Sequence, residues 1–259
     1  MNFYEVLHIT TNLPAIQGQF WQIIDWLYPP SCCSCGKIGK LVCDDCFSNL
    51  LIPDINACFL CGEPQKKTGI CLRCRTHPPH FKSLRSLGYF TGPLRDAIHS
   101  LKYQRNLGLG EFFSTPLAQV IQRESWQIDL ITAVPLNKKR RKERGYNQAE
   151  VLAKPVARKM GISYSSNLIQ RIKDTNSQVG LSLQERQNNV ADAFLAKPDL
   201  VKSKNILIID DVATTGSTMD ACAKALMDVG TKNVFALTLA KTMGMRDEVI
   251  GTQNSIFRR

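Results

Sequence analysis

The sequence predicts an α/β protein: a parallel, doubly wound sheet with helices on both faces, preceded by a small cysteine-rich, zinc-binding module. Three observations carry this. Short apolar runs alternate with helical patterns from about residue 84 onward, as in stacked βαβ units. The run Ile206–Ile209 leads into Asp210-Asp211 and a turn of small residues, the pattern of a strand feeding a helix N-terminus. Nine of the ten cysteines lie between Cys32 and Cys74, eight of them in four CxxC pairs.

Composition sets the outer bounds. A chain of 259 residues that is 44% hydrophobic can bury a proper core, as one large domain or two modest ones. Its net charge of 33 − 22 = +11 favours polyanionic partners, nucleic acid or phosphorylated ligands, and says nothing about fold. Glu5 and His8 interrupt the N-terminus, so no secretory signal is expected. No uncharged apolar run reaches membrane-spanning length. The expectation is a cytoplasmic protein with no membrane span and reduced thiols.

Residues 1–31 form a lead segment. Phe20, Ile23, Ile24 and Leu27 recur at helical spacing beside Trp21 and Trp26, and Pro29-Pro30 end the element. With no basic residue to meet anionic lipid, this helix is expected to pack on its own protein rather than to dock on a partner or a membrane surface.

The module over 32–78 is an internal repeat. Cys32-x₂-Cys35 and Cys43-x₂-Cys46 form one half, Cys58-x₂-Cys61 and Cys71-x₂-Cys74 the other. Four thiolates suffice for one tetrahedral Zn²⁺, so two structural zinc ions with sequential pairing are expected. Interleaved pairing or one occupied site is equally compatible with the spacing. A glycine after the first pair of each half, Gly36 and Gly62, suits a knuckle turn. Cys33 reads as a spectator or a substitute for Cys32, and His77 and His80 as loop residues. So few apolar residues cannot fold such a module without metal. Lys66, Lys67, Arg73 and Arg75 make its second half basic and keep DNA binding open.

Pro78-Pro79 mark a boundary, and 79–243 reads as the α/β domain. Leu84–Phe90 is its first strand; Pro93 then starts a helix with Leu94, Ile98 and Leu101 inward. Gly108 and Gly110 are expected to break the chain before a helix over about 111–122. Strand Ile128–Val134 follows. At its carboxyl end come Pro135, Leu136 and Asn137, then Lys138–Arg144, in which six of seven residues are basic. Loops there face the ligand crevice, where lysine and arginine neutralise a pyrophosphate; a solvated loop or a DNA-binding patch is the alternative. Residues 174–189 are polar and read as a mobile segment. The strand Ile206–Ile209 is expected to stop at Asp210 and Asp211, acids suited to ribose hydroxyls or Mg²⁺. The turn Ala213, Thr214, Thr215, Gly216, Ser217 and Thr218 presents free N–H groups to an anion. The next helix has Met219, Cys222, Ala223, Leu226 and Met227 on one side, with Gly230 beyond its end as a cap. Residues 244–259 read as a basic tail.

Strand, Asp210-Asp211 and Thr214–Thr218 together resemble the phosphoribosyl-pyrophosphate (PRPP) signature of type I phosphoribosyltransferases. Arg144-Gly145-Tyr146-Asn147-Gln148 after Val134-Pro135 and a basic run looks like the signature of the ComF family of competence proteins. So does the later set Arg171, Thr175, Gln178, Leu181, Arg186, Asn189 and Phe194, and so does the CxxC module ahead of such a domain. The resemblance covers about Cys32 to Lys241. It implies a PRPP or related ribose 5-phosphate site in which Asp210 and Asp211 hold ribose and Mg²⁺, and residues 213–218 hold the 5′-phosphate. It places Pro135, Leu136, Asn137, Lys138 and Arg144 at the pyrophosphate, and Arg186 on a mobile lid. It also implies a role in DNA uptake, with single-stranded DNA and competence-machinery proteins as partners. No base pocket or acid/base group is identifiable. An active transferase with an unknown acceptor and a PRPP-sensing regulator therefore remain as alternatives.

Overall fold

The computed structural model describes residues 29–53, 56–172 and 193–242. The lead helix, the polar segment with Arg186, and the tail lie outside the described residues. After two short cysteine-module helices, α1 (Asp44–Ser48) and α2 (Leu72–Thr76), the chain runs β1 (Ser83–Tyr89), α3 (Gly92–Tyr103), α4 (Gly108–Arg123), β2 (Leu130–Ala133). It continues α5 (Lys138–Arg144), α6 (Gln148–Met160), β3 (Ile169–Arg171), β4 (Phe194–Ala196), β5 (Asn205–Ala213), α7 (Ser217–Asp228), β6 (Asn233–Lys241).

The main sheet has the order β1-β6-β5-β2 and every pair in it is parallel. Side chains alternate along β5, so each of its faces feeds a separate core. Leu207 and Ile209 join α3, α4 and α6 through Leu101, Leu117 and Leu152. Ile206 and Ile208 join α7 through Met219, Cys222 and Leu226, with Phe194 of the antiparallel β3–β4 pair. Helices thus cover both faces, as the continuous apolar run requires. Burying each of these aliphatic side chains contributes about 1.5–3 kcal/mol.

Four local expectations are corrected. Gly108 and Gly110 do not break the chain; they lie in the first turn of α4. A Cβ on Gly110 would sit 2.2 Å from the Val151 carbonyl oxygen, so this glycine serves the close approach of α4 to α6. The strand does not stop at the two acids. Parallel pairing carries β5 onward, with Asp210 opposite Thr238 and Val212 opposite Ala240. Ala213 is therefore a strand residue, and the turn proper begins at Thr214. The basic stretch is a helix rather than a loop, because both ends are capped. Asn137 Oδ1 accepts from Lys139 N–H at 2.8 Å, and Gly145 closes the C-terminus at φ 82°. Met227 is partly exposed, on the shoulder of α7 rather than in its core face. Gly230, at φ 89°, follows α7 as expected.

The cysteine module lies along the open edge of β1. Leu84 N–H donates to Leu60 O at 2.7 Å and Tyr89 N–H to Leu51 O at 2.8 Å, so main-chain groups of an edge strand find partners. Val42 and Leu50 of the first half enter the core on the α3 side, whereas Cys58, Cys61 and Cys74 of the second enter the α7 side. The two halves straddle the sheet edge.

Candidate metal and ligand sites

The structure gathers the cysteines sequentially. Cys32, Cys35, Cys43 and Cys46 form one cluster, and Cys58, Cys61, Cys71 and Cys74 the other, each with its sulfurs within 4.8 Å of one another. Gly36 and Gly62 take positive φ, 76° and 64°, and let the knuckle close. Main-chain N–H groups point at sulfur, Cys43 N to Cys32 Sγ and Cys71 N to Cys58 Sγ, both at 3.4 Å. Burial opposes ionisation of Cys32, but N–H groups at Cys35, Cys43 and Ser34 outweigh it and lower the thiol to about 6. Cys58 is lowered in the same way, against its burial, to about 7. Burial and then the hydrogen bond with Cys43 push Cys46 up to about 12. Four thiolates this close repel, and a divalent cation resolves the conflict; the donor sets fit tetrahedral Zn²⁺. Cys33 stays outside both clusters and packs against the helical core. His80 N–H instead donates to Asp220 Oδ1 at 2.6 Å, on the first turns of α7.

The second site lies at the carboxyl ends of β2 and β5. Asp210 and Asp211 are neighbours in sequence but face opposite sides of the sheet. Asp211, 4% exposed, pairs with Lys102 of α3, its Oδ2 3.1 Å from Nζ. Asp210 faces the α7 side, within electrostatic reach of Cys222 and Arg171. Desolvation, and then the Asp211 charge, push its carboxyl up to about 8. Beyond Ala213, Gly216 takes φ 82° as N-cap of α7, and Ser217 N–H donates to Thr215 Oγ1 at 3.3 Å. The turn is thus strand-anchored at one side and opens a helix of 12 residues at the other, where N–H groups and the helix dipole favour an anion.

Across the crevice, α5 presents Lys138–Lys142 to solvent, while Arg144 is half-buried with its guanidinium 5.4 Å from the Tyr103 ring centroid. The following residues hold the crevice wall. Tyr146 Oη donates to Leu101 O, and Asn147 Nδ2 donates to Val134 O at 2.9 Å while its Oδ1 caps α6. Lys102 is the site residue that sequence reasoning missed. Nothing local marks it, because its partner Asp211 lies on a strand far along the chain. A cavity of about 660 Å³ lies behind the turn, between Thr215–Ser217, Phe194 and the second cysteine cluster.

Comparison with known proteins accounts for both halves. Residues 23–75 match the double zinc ribbon domain and residues 147–256 the phosphoribosyl transferase domain. The chain is 33% identical over 196 residues to the DNA utilization protein YhgH of Salmonella typhimurium (strain LT2), covering 73% of this chain and 86% of that protein. Competence protein F of Haemophilus influenzae is 31% identical over 196 residues, covering 71% of this chain and 84% of it. Competence protein ComFC of Bacillus subtilis is 24% identical over 217 residues, covering 80% and 86%. Among the described residues no helix is long and apolar enough to cross a membrane.

Proposed function

The chain belongs to the ComF family of competence proteins, and from that membership we propose that its parallel-sheet domain binds PRPP with Mg²⁺ in the service of DNA uptake. The observation that carries the proposal is the continuity of β5 into the turn. One strand delivers Asp210 and Asp211, then Gly216 at positive φ, then the N-terminus of α7. The turn Thr214–Thr218 receives the 5′-phosphate. Asp210 and Asp211 take the ribose hydroxyls and the magnesium ion, whose charge would offset that of the pyrophosphate. Lys138 and Arg144, with the chain at Pro135–Asn137, line the pyrophosphate side. The zinc ions are structural.

Single-stranded DNA is the proposed polymer partner, engaged by the exposed lysines and arginines of α5 and by Lys66, Lys67 and Arg75 of the second knuckle. Their exposure and the chain's net charge support a salt-sensitive, backbone-directed contact. Two of the relatives carry competence in their names and one DNA utilization, which supports a role in a cytoplasmic step of handling incoming DNA.

Calorimetric titration with Mg²⁺-PRPP tests the binding site. The wild-type chain binds, and the double variant Asp210→Asn/Asp211→Asn does not; equal binding by the two removes the proposal. For DNA, affinity for a labelled single strand falls with salt and falls again when Lys138–Lys142 are neutralised. A screen of nucleobases and amines for PRPP-dependent pyrophosphate release separates a transferase from a binding protein.

A further inference from the structure

Lys102 sits in the last turn of α3 and reaches Asp211, with side chains 21% and 6% exposed. The ammonium meets Asp211 Oδ2 as a charge at 3.1 Å, and among the described residues no aligned hydrogen bond reaches that buried oxygen. Both residues flanking Lys102 are held by the segment after α5. The Leu101 carbonyl accepts from Tyr146 Oη, and the Tyr103 ring carries Arg144, whose buried Nη1 has no hydrogen-bond partner among the described residues. Asn147 ties that segment to the end of β2 through the Val134 carbonyl. Successive helical residues point about 100° apart, so fixing positions 101 and 103 fixes the direction in which Lys102 leaves the helix.

We infer that Lys102 is an exchanging cation of the crevice: with no ligand it neutralises Asp211, and when a metal-bound diphosphate enters it leaves that carboxylate for a phosphate oxygen. The inference rests on the proposed PRPP reading and deepens it. One buried carboxylate cannot hold a divalent cation and an ammonium side by side without like-charge repulsion. The diphosphate is the new anion that the ligand itself brings, and an ammonium displaced from a carboxylate is attracted to it. Tyr146, through the Leu101 carbonyl, acts through Lys102 as a positioning residue.

Lys102 then opposes metal binding by itself and promotes binding of the metal–diphosphate ligand. A purely structural lysine has no reason to move the two in opposite directions. The test is calorimetric titration of wild type and Lys102→Met with Mn²⁺ alone and with Mg²⁺-PRPP, after melting curves and zinc content show that the variant folds. Lys102→Met is expected to bind Mn²⁺ several-fold tighter and Mg²⁺-PRPP at least about tenfold weaker. Lys102→Arg restores PRPP affinity to within a few-fold of wild type, and Lys102→Gln takes the place of Lys102→Met in both titrations if the methionine variant does not fold. Tyr146→Phe weakens PRPP binding in the same direction but less. Both ligands shifting the same way, neither shifting, or Lys102→Arg behaving as Lys102→Met overturns the inference while the PRPP reading stands. If the wild-type protein does not bind Mg²⁺-PRPP, both fall.

Discussion

The buried ammonium of Lys241, at the end of β6, donates to the Cys61 carbonyl at 3.3 Å and pairs with Glu63. Lys241 is also the register partner of Ala213, the last strand residue before the Thr214–Thr218 turn. A zinc-ligand segment and the turn therefore share one strand end. Removing the ammonium strands the Cys61 carbonyl, whereas solvent takes part of the charge of Glu63. Lys241→Met should cost about 1–3 kcal/mol and release zinc from the second cluster faster than from the first. Thermal melting and zinc release to a colorimetric chelator measure both; an unchanged melt with equal release rates contradicts the arrangement.

The two clusters are independent donor sets, so each can be emptied separately. Metal analysis of the intact chain should return about two zinc per molecule, and Cys46→Ser or Cys71→Ser about one. Stripping both sites uncovers the edge of β1, since Leu51 and Leu60 carbonyls accept from it. Chelator-treated protein should associate, with light scattering rising as zinc leaves.

At Gly110 the constraint is steric. A methyl group there would stand 2.2 Å from the Val151 carbonyl oxygen, so α4 and α6 must separate to admit alanine. Gly110→Ala should destabilise by about 1–3 kcal/mol despite alanine's better helix propensity, read by urea denaturation. A stabilised variant would show that the helices part at no cost.

Asp210 makes a prediction with a definite pH sign. Its carboxyl stands at about 8 in the fold, against an ordinary 3.8, because of desolvation first and the Asp211 charge second. The folded state holds a proton that the unfolded chain releases, so stability is fullest below about 4 and is lost as pH rises toward 8. Asp210→Asn keeps an oxygen for the Asp211 N–H, which now donates to Asp210 Oδ1 at 2.8 Å. The variant should gain about 0.5–2 kcal/mol at pH 8, gain little at pH 4, and lose Mg²⁺-PRPP binding. Melting temperature against pH checks it; a gain of the same size at both pH values would assign the effect to something other than this charge.

Much of this protein was readable from local patterns, because the forces behind them are local. CxxC spacing with a following glycine specifies a knuckle, and Ile206–Ile209 specifies a strand buried on both faces. A glycine within a hydroxyl-rich turn specifies a helix entry. Local pattern alone therefore yields an inventory: two cysteine clusters, a parallel sheet, and a small-residue turn after β5 that opens a helix. How the pieces meet depends on packing between distant segments. Pairing with β6 carries β5 past its two acids and sends them to opposite faces, which no property of Asp-Asp reveals. Gly110 reads as a breaker until Val151 is seen against it, and Asn137 and Gly145 turn a basic run into a capped helix. Lys102 becomes a site residue only because α3 ends where Asp211 points. These contacts join residues far apart in the chain, and long-range packing, unlike period or capping, leaves no signature in a single sequence.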